Sequence, residues 1–396
     1  MPSSPAPRIF DTLVAGLGAA GSSALYQLAK RGVNVLGIDR FSPPHAQGSS
    51  HGETRITRLA IGEGPHYTPF AMRSHEIWRE IEQATGQELM VTTGGLILSG
   101  QTRTAEMHVD HFFENTFEAA RKYGIEHQRL DAGAIRKSFP AFNVCDSEVG
   151  YFEPSAGYLR PEACIGAQLS LAKTLGAGIA LDETILGFEP EPGGIVVHTS
   201  RGSHRARNVV LTLGPWLPAF LPPALARHFS VTRQVLFWFE PRVPAACFQP
   251  PQFPVFIWEP EGANEAFYGF PALGGASQGV KIATGEYGAA TTPENVDRGV
   301  TAEEIDAMYR QVQARLPGLG PNCIRQATCL YTRTADAGFV IDRSPLSDNI
   351  LIVSPCSGHG FKHSPAVGEA IAELIVDGRS HLDLSKFALA RLESRP

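Results

Sequence analysis

Residues 9–15 form the first apolar run of the chain and read as a short buried strand, 18–31 as a helix, and 33–39 as a second apolar strand that closes on an acid. This is a β-α-β unit. The Pro-, Gly-, Ser- and His-rich stretch over 43–64 is too long for a connector and is a candidate for function. Amphipathic helices are expected over 68–84, 102–123 and 161–175. From 179 the pattern turns to alternation, which predicts strands over 179–188, 194–199, 206–213, 231–239 and 266–270. Helical spacing returns over 301–315, an apolar strand follows over 350–353, and a helix over 365–376 comes after a glycine-rich turn. Strand, glycine turn and helix thus recur at the C-terminal end.

The expected fold is mixed α/β. A discontinuous Rossmann-like nucleotide-binding domain would take 1–90, 149–225 and 325–396, and a second domain on an antiparallel or mixed sheet would be inserted twice, as 91–148 and 226–324.

Composition narrows the function. The 396 residues are 43% hydrophobic and 19% charged, enough for a core and too little charge for a disordered chain. A net charge of −6 offers no attraction to phosphate backbones or anionic membrane, so nucleic acid and membrane are not expected partners. Residues 1–11 lack the layout of a signal peptide, and no apolar run approaches the roughly 18 residues of a membrane span, so a cytoplasmic protein is expected. The six cysteines form no CxxC pair, which argues against a disulfide framework and a structural zinc.

Gly16, Gly18 and Gly21 make a GxGxxG between strand and helix, and Asp39 ends the next strand. Glycine lets the backbone approach a pyrophosphate at a helix N-terminus, and the acid would accept ribose hydroxyls. The motif does not separate NAD from FAD. The 43–58 loop adds His45, His51, Arg55 and Arg58 and reads as an anion site near the far end of the dinucleotide, or as a solvated basic loop. His359 and His363 sit four apart without an HExxH frame, so no metal is expected; Gly358 and Gly360 read as a second backbone cradle with Lys362 pointing into the site. On residues alone Cys329 reads as a buried free thiol, and Lys281 as an edge-strand lysine facing water. No GxSxG elbow is present, which disfavours a hydrolase.

The blocks PPHAQGSSHGETRITR (43–58), GEGPHYTP (62–69), FYGFP (267–271), CLYTRTADAGFVID (329–342) and SGHGFKHS (357–364) resemble the monomeric sarcosine oxidase and N-methyltryptophan oxidase family of flavoproteins, which also includes pipecolate oxidases. The resemblance runs over nearly the whole chain. It implies FAD, with Gly16, Gly18, Gly21, Asp39, Arg40, Ser50, Thr54, Gly358, Gly360 and Phe361 around it and a thioether from Cys329 to the flavin 8α-methyl carbon. It implies that His51 and Arg55 lie against the flavin, that Arg58 and Lys362 bind the substrate carboxylate, and that Tyr268 and Tyr331 wall the substrate. Lys281 matches a lysine near flavin N5 on the opposite face that activates oxygen. The chain departs from the family at Ser50, where a pair of histidines becomes Ser50-His51, at Leu59 and at Gly285, both in place of histidine. The stretch over 268–281 is also slightly longer, which implies a differently shaped pocket.

The expected activity is therefore oxidative demethylation of a secondary N-methyl amino acid, with O2 as acceptor and formaldehyde, amino acid and hydrogen peroxide as products, by a monomer. A cyclic imino-acid oxidase is the first alternative; an NAD-dependent dehydrogenase and a non-catalytic flavin-binding protein are the others.

Overall fold

A computed structural model describes residues 9–101, 109–262, 265–274, 278–285 and 290–393. Its first sheet has eight strands. Gly202–Leu211, Ile9–Ala15, Val35–Ile38 and Gly178–Ala180 are neighbours in that order and parallel. The first half of Gly202–Leu211 also pairs with the Gly194–Thr199 strand, while its last residues, Val209–Leu211, pair in parallel with Ser347–Ser354. Helices Ala19–Lys30, Pro161–Thr174 and Ser364–Val376 share one core through residues such as Leu25, Ile165 and Val367. Strands buried between such layers read as continuous apolar runs, which is why 9–15 and 350–353 were legible.

The second sheet also has eight strands, in the order Leu319–Thr334, Phe229–Pro241, Val280–Thr284, Phe267–Gly269, Val255–Glu259, Gly95–Ser99, Val149–Glu153 and Gln128–Leu130. One face packs an aromatic core of Phe237, Phe239, Phe256, Trp258 and Phe267, closed by helix Ala302–Val312 through Met308 and Val312. Thr301 starts that helix with a capping box, its hydroxyl accepting from Glu304 N while the Glu304 side chain returns to Thr301 N. The opposite face carries the chemistry. Register puts Trp238 opposite Lys281, Leu236 opposite Ala283, Gln234 opposite Cys329, Thr232 opposite Tyr331, and Tyr268 opposite both Ala283 and Ile257. Because side chains alternate along a strand, these residues all emerge on one side. A small third sheet joins Arg55–Thr57, Gly157–Leu159 and Met90–Thr92.

Several expectations change. The single strand expected over 179–188 is two, Gly178–Ala180 and Ile185–Glu191, interrupted where Asp182 takes a left-handed φ of 54°. The expected 102–123 helix is observed as Phe112–Tyr123, and residues 102–108 lie outside the described residues, as do 1–8 and the 275–277 part of the lengthened 268–281 stretch. Val149–Glu153 and the last part of Leu319–Thr334, assigned above to the nucleotide-binding unit, hydrogen-bond within the second sheet. Lys281 is not an edge residue facing water: its strand is flanked on both sides and the side chain is 2% exposed. No helix among the described residues is long and apolar enough to cross a membrane.

Candidate active site

A cavity of ≈ 370 Å³ runs from the C-terminal ends of the parallel strands to the chemical face of the second sheet. At its first end lie Gly16 and Gly18, between strand Ile9–Ala15 and helix Ala19–Lys30. Gly16 has φ 88°, and a Cβ there would meet Thr212 O at 2.6 Å. Gly21 does not line the cavity; it packs behind, where a Cβ would stand 1.8 Å from Gly16 O. The helix begins with no side-chain cap and no acid in its first turn. Amides of its first turn other than that of Ala19 are left for an anion. Ser50 Oγ accepts from Ala19 N at 3.4 Å, tying the 43–58 loop to this turn. Asp39, buried, accepts from Leu17 N at 2.7 Å and Phe41 N at 2.8 Å. Beside it, Arg40 pairs with Glu294 at 3.1 Å, and Glu294 also accepts from Trp216 Nε1 at 2.9 Å.

A second glycine turn lies at Gly358 and Gly360. Gly358 takes φ 85°, and a Cβ on Gly360 would fall 1.5 Å from Pro355 O, so the chain folds tightly before helix Ser364–Val376. Gly358, Gly360 and Phe361 line the cavity, and Lys362 does so as well.

Three cationic or potentially cationic side chains surround the middle of the site. Arg55 donates to Thr54 O and Ser49 O, both at 2.8 Å. Lys281 Nζ shares the Thr54 carbonyl at 2.9 Å and also donates to Gly52 O at 2.7 Å and Thr54 Oγ1 at 3.1 Å. Burial, then Arg55, holds the Lys281 ammonium well below the usual lysine range. His51 is buried, and its Nε2 has no hydrogen-bond partner among the described residues. Burial, then Arg55, pulls its pKa down to about 3, so it is a neutral imidazole. Neither Lys281, His51, Thr54 nor Cys329 lines the main cavity; they form the layer directly behind. Cys329 is a free, buried thiol whose pKa is raised by burial.

At the other end two cations flank one carboxylate. Arg58 meets Glu63 Oε2 at 2.7 Å and donates to Ala60 O; Lys362 Nζ donates to His359 O at 2.7 Å and lies 4.0 Å from Glu63 Oε1. All three side chains are buried, and burial lowers the Lys362 pKa to about 8 against the opposing pull of Glu63. Tyr268 and Tyr331 line the neighbouring wall, hydroxyl to hydroxyl at 3.3 Å. Glu63 was not singled out from sequence, although it sits inside the 62–69 block; an acid next to two cations in a folded site has no local signature. Glu153 was missed in the same way. It is buried and accepts from Leu59 N, Ala60 N and Tyr151 Oη, so it pins the backbone beside Arg58. Gly285 ends the Val280–Thr284 strand, half-buried.

The FAD dependent oxidoreductase family matches residues 11–374. The chain belongs to this family. A monomeric sarcosine oxidase from Streptomyces avermitilis is 37% identical over 388 residues, covering 98% of this chain and 99% of the relative. A monomeric sarcosine oxidase from a Bacillus species is 35% identical, covering 96% of each chain, and an N-methyl-L-tryptophan oxidase from Yersinia pestis is 33% identical, covering 96% of this chain and 99% of its own. Among solved structures the fold is shared with NikD, an amino acid oxidase of nikkomycin biosynthesis (TM-score 0.81, 23% identity, 96% and 97% covered), and with L-proline dehydrogenase from P. horikoshii (TM-score 0.79, 22% identity, 98% and 99% covered).

The residues of this FAD-dependent oxidoreductase fit the cofactor. The helix start, which has no cap from its own N-terminal residue, and the two glycine turns leave room and amide donors for phosphates, and Asp39, just past the end of strand Val35–Ile38, is a carboxylate that would accept from a ribose.

Proposed function

We propose that the protein is an oxidase of secondary N-methyl amino acids. One observation carries this: Arg58 and Lys362, both buried, flank a single carboxylate beside a cavity wall of Tyr268 and Tyr331. Two cations that can share Glu63 can share a substrate carboxylate, and a carboxylate gripped between fixed donors orients the rest of the amino acid.

FAD, which Gly16, Gly18, Asp39, Gly358 and Gly360 would hold, would supply a two-electron acceptor for a hydride from the N-methyl carbon; that hydride and one further proton balance the conversion of O2 to hydrogen peroxide. The chain supplies the surroundings. Arg58 and Lys362 hold the acid group, with Glu63 competing for the same donors, and Glu153 keeps the Arg58 backbone in place. The amine must react neutral, because a protonated nitrogen has no lone pair to assist hydride loss; the nearby charges of Arg55, Arg58 and Lys362 disfavour the ammonium. Tyr268, Tyr331 and Ile257 shape the pocket around the side chain. His51 and Arg55 sit on the cofactor side, and Lys281 supplies positive charge for reduction of O2 from a layer where water is scarce. Cys329 is the side chain for a thioether to the flavin. The released imine hydrolyses to formaldehyde and a primary amino acid. The 1–90, 149–225 and 325–396 segments serve the cofactor in this scheme, with 149–153 and the Leu319–Thr334 strand contributing to the substrate sheet.

An anaerobic screen of N-methyl and cyclic amino acids tests the proposal. N-methyl amino acids should bleach the bound flavin faster than their primary counterparts, and formaldehyde separates attack on an N-methyl group from attack on a ring carbon. A flavin left yellow by every secondary amino acid would remove the oxidase reading altogether.

A further inference from the structure

Strand register places three side chains in one row behind the cavity. Trp238 stands opposite Lys281 on one neighbouring strand and opposite Arg325 on the other, so all three project from the same face. The Arg325 guanidinium lies 4.2 Å from the Trp238 ring centre and the Lys281 ammonium 5.4 Å from it. One carboxylate ties this row to the 52–54 turn. Glu53 accepts from Trp238 Nε1 at 3.1 Å through one oxygen and pairs with Arg325 through the other.

The turn itself is held in an unusual shape. Glu53 has φ 67° and follows Gly52 at 97°. A non-glycine residue keeps such a backbone only where its surroundings over-determine it. Glu162 fixes the turn from the other side, accepting from Gly52 N at 2.7 Å and Glu53 N at 3.3 Å. The carbonyls that this turn presents, Gly52 O and Thr54 O, are acceptors of the Lys281 ammonium. A separate hollow lined by Glu53, Thr54, Trp238, Phe270 and Gly279 reaches Lys281 from this outer side.

We propose that Glu53, clasped by Trp238 and Arg325, is a positioning residue for the oxygen half of the reaction: it locks the turn whose carbonyls aim the Lys281 ammonium. The inference rests on the reading of Lys281 as the cation that assists O2 reduction. That step consumes the two electrons and the hydrogen that the substrate delivered as hydride, and one further proton, for each O2 converted to hydrogen peroxide. Glu53 also has an electrostatic role. Burial and Arg55 push Lys281 towards neutrality, and the Glu162 and Glu53 carboxylates oppose them, while the Arg325 charge lies beyond Trp238 and His51 is neutral.

The test uses FAD-loaded E53A, E53Q, W238F and K281M beside the parent protein. Each is bleached anaerobically with substrate and then mixed with O2. E53A and W238F should reoxidise roughly 5- to 30-fold more slowly, the effect of losing a buried hydrogen bond that aims a charge, while their bleaching by substrate keeps its rate. E53Q keeps an oxygen for Trp238 Nε1 but loses the charge, and should fall between them and the parent. In FAD-loaded protein carrying 13Cε-lysine, the Lys281 resonance, assigned by its absence in K281M, should titrate at lower pH in E53Q than in the parent. Normal reoxidation in both E53A and W238F, or an unmoved Lys281 titration, overturns the proposal. So does equal slowing of bleaching and reoxidation, which marks general damage to the site. If K281M itself reoxidises normally, the underlying reading of Lys281 falls; if K281M is slow and the Glu53 and Trp238 variants are not, only the present inference falls.

Discussion

Replacing Lys362 with methionine tests the carboxylate clamp quantitatively. Lys362 is 5% exposed, its ammonium donates to His359 O at 2.7 Å, and Glu63 lies 4.0 Å away. Methionine has nearly the same length and no charge, and it leaves the 2.7 Å Arg58–Glu63 pair intact, so the fold should survive. A hydrogen bond to a charged group contributes about 1.5 to 3 kcal/mol, so the affinity for an amino-acid carboxylate should fall roughly 10- to 150-fold. The methyl ester of the same amino acid should be affected much less. The pKa of about 8 adds a pH signature: Lys362 is about nine-tenths protonated at pH 7 and about one-tenth at pH 9. Carboxylate affinity of the parent should therefore decline about tenfold between pH 7 and pH 9, and K362M should lack that limb. Anaerobic bleaching at increasing substrate concentration gives the dissociation constant and the limiting rate separately, and the limiting rate should change less than the affinity. An unchanged preference for acid over ester in K362M, or a parent affinity flat from pH 7 to 9, would refute the clamp.

K281M should slow reoxidation of the bleached protein by about 100-fold or more, as loss of a pre-set charge does elsewhere, with little effect on bleaching; stopped-flow separates the two. C329S should release its flavin into the supernatant on acid precipitation, whereas the parent precipitate should stay yellow. G21A should bind FAD weakly or not at all, because its Cβ would stand 1.8 Å from Gly16 O; flavin content after purification reads this out. Stability should fall as pH drops from about 6.5 towards 4. His51, His75 and His359 have folded pKa values lowered to about 3, 4 and 4 by burial, so the unfolded chain binds more protons across that window. Each such histidine removes about 1.4 kcal/mol per pH unit below 6.5, measurable by denaturant unfolding at stepped pH.

The sequence was most informative where one residue class must occupy one backbone shape. The opening β-α-β unit, Gly16, Gly21 and Asp39 could be read because buried parallel strands are apolar throughout and the phosphate turn tolerates only glycine. The Leu319–Thr334 strand was not foreseen: it opens with Leu-Gly-Pro, which reads as a turn, and residues 321–327 are exposed or half-buried before the buried stretch that starts at Thr328. Lys281 was misjudged on residues alone because nothing local tells a flanked strand from an edge. Glu63, Glu153 and Glu53 could not be found, since each acts on partners brought together by the fold: Glu63 and Glu53 lie in loops without periodicity, and Glu153 ends a strand. The resemblance supplied pairings such as Arg58 with Lys362, and the structure adds the carboxylate that stands between them.

The central claim is that an N-methyl carbon is the hydride donor in this cavity. A single anaerobic turnover of the purified yellow protein with an N-methyl amino acid, followed by quenching and assay of formaldehyde, tests it most directly. The account predicts one equivalent of formaldehyde and one of primary amino acid for each flavin bleached. Bleaching without formaldehyde would move the oxidised bond elsewhere in the substrate and contradict it.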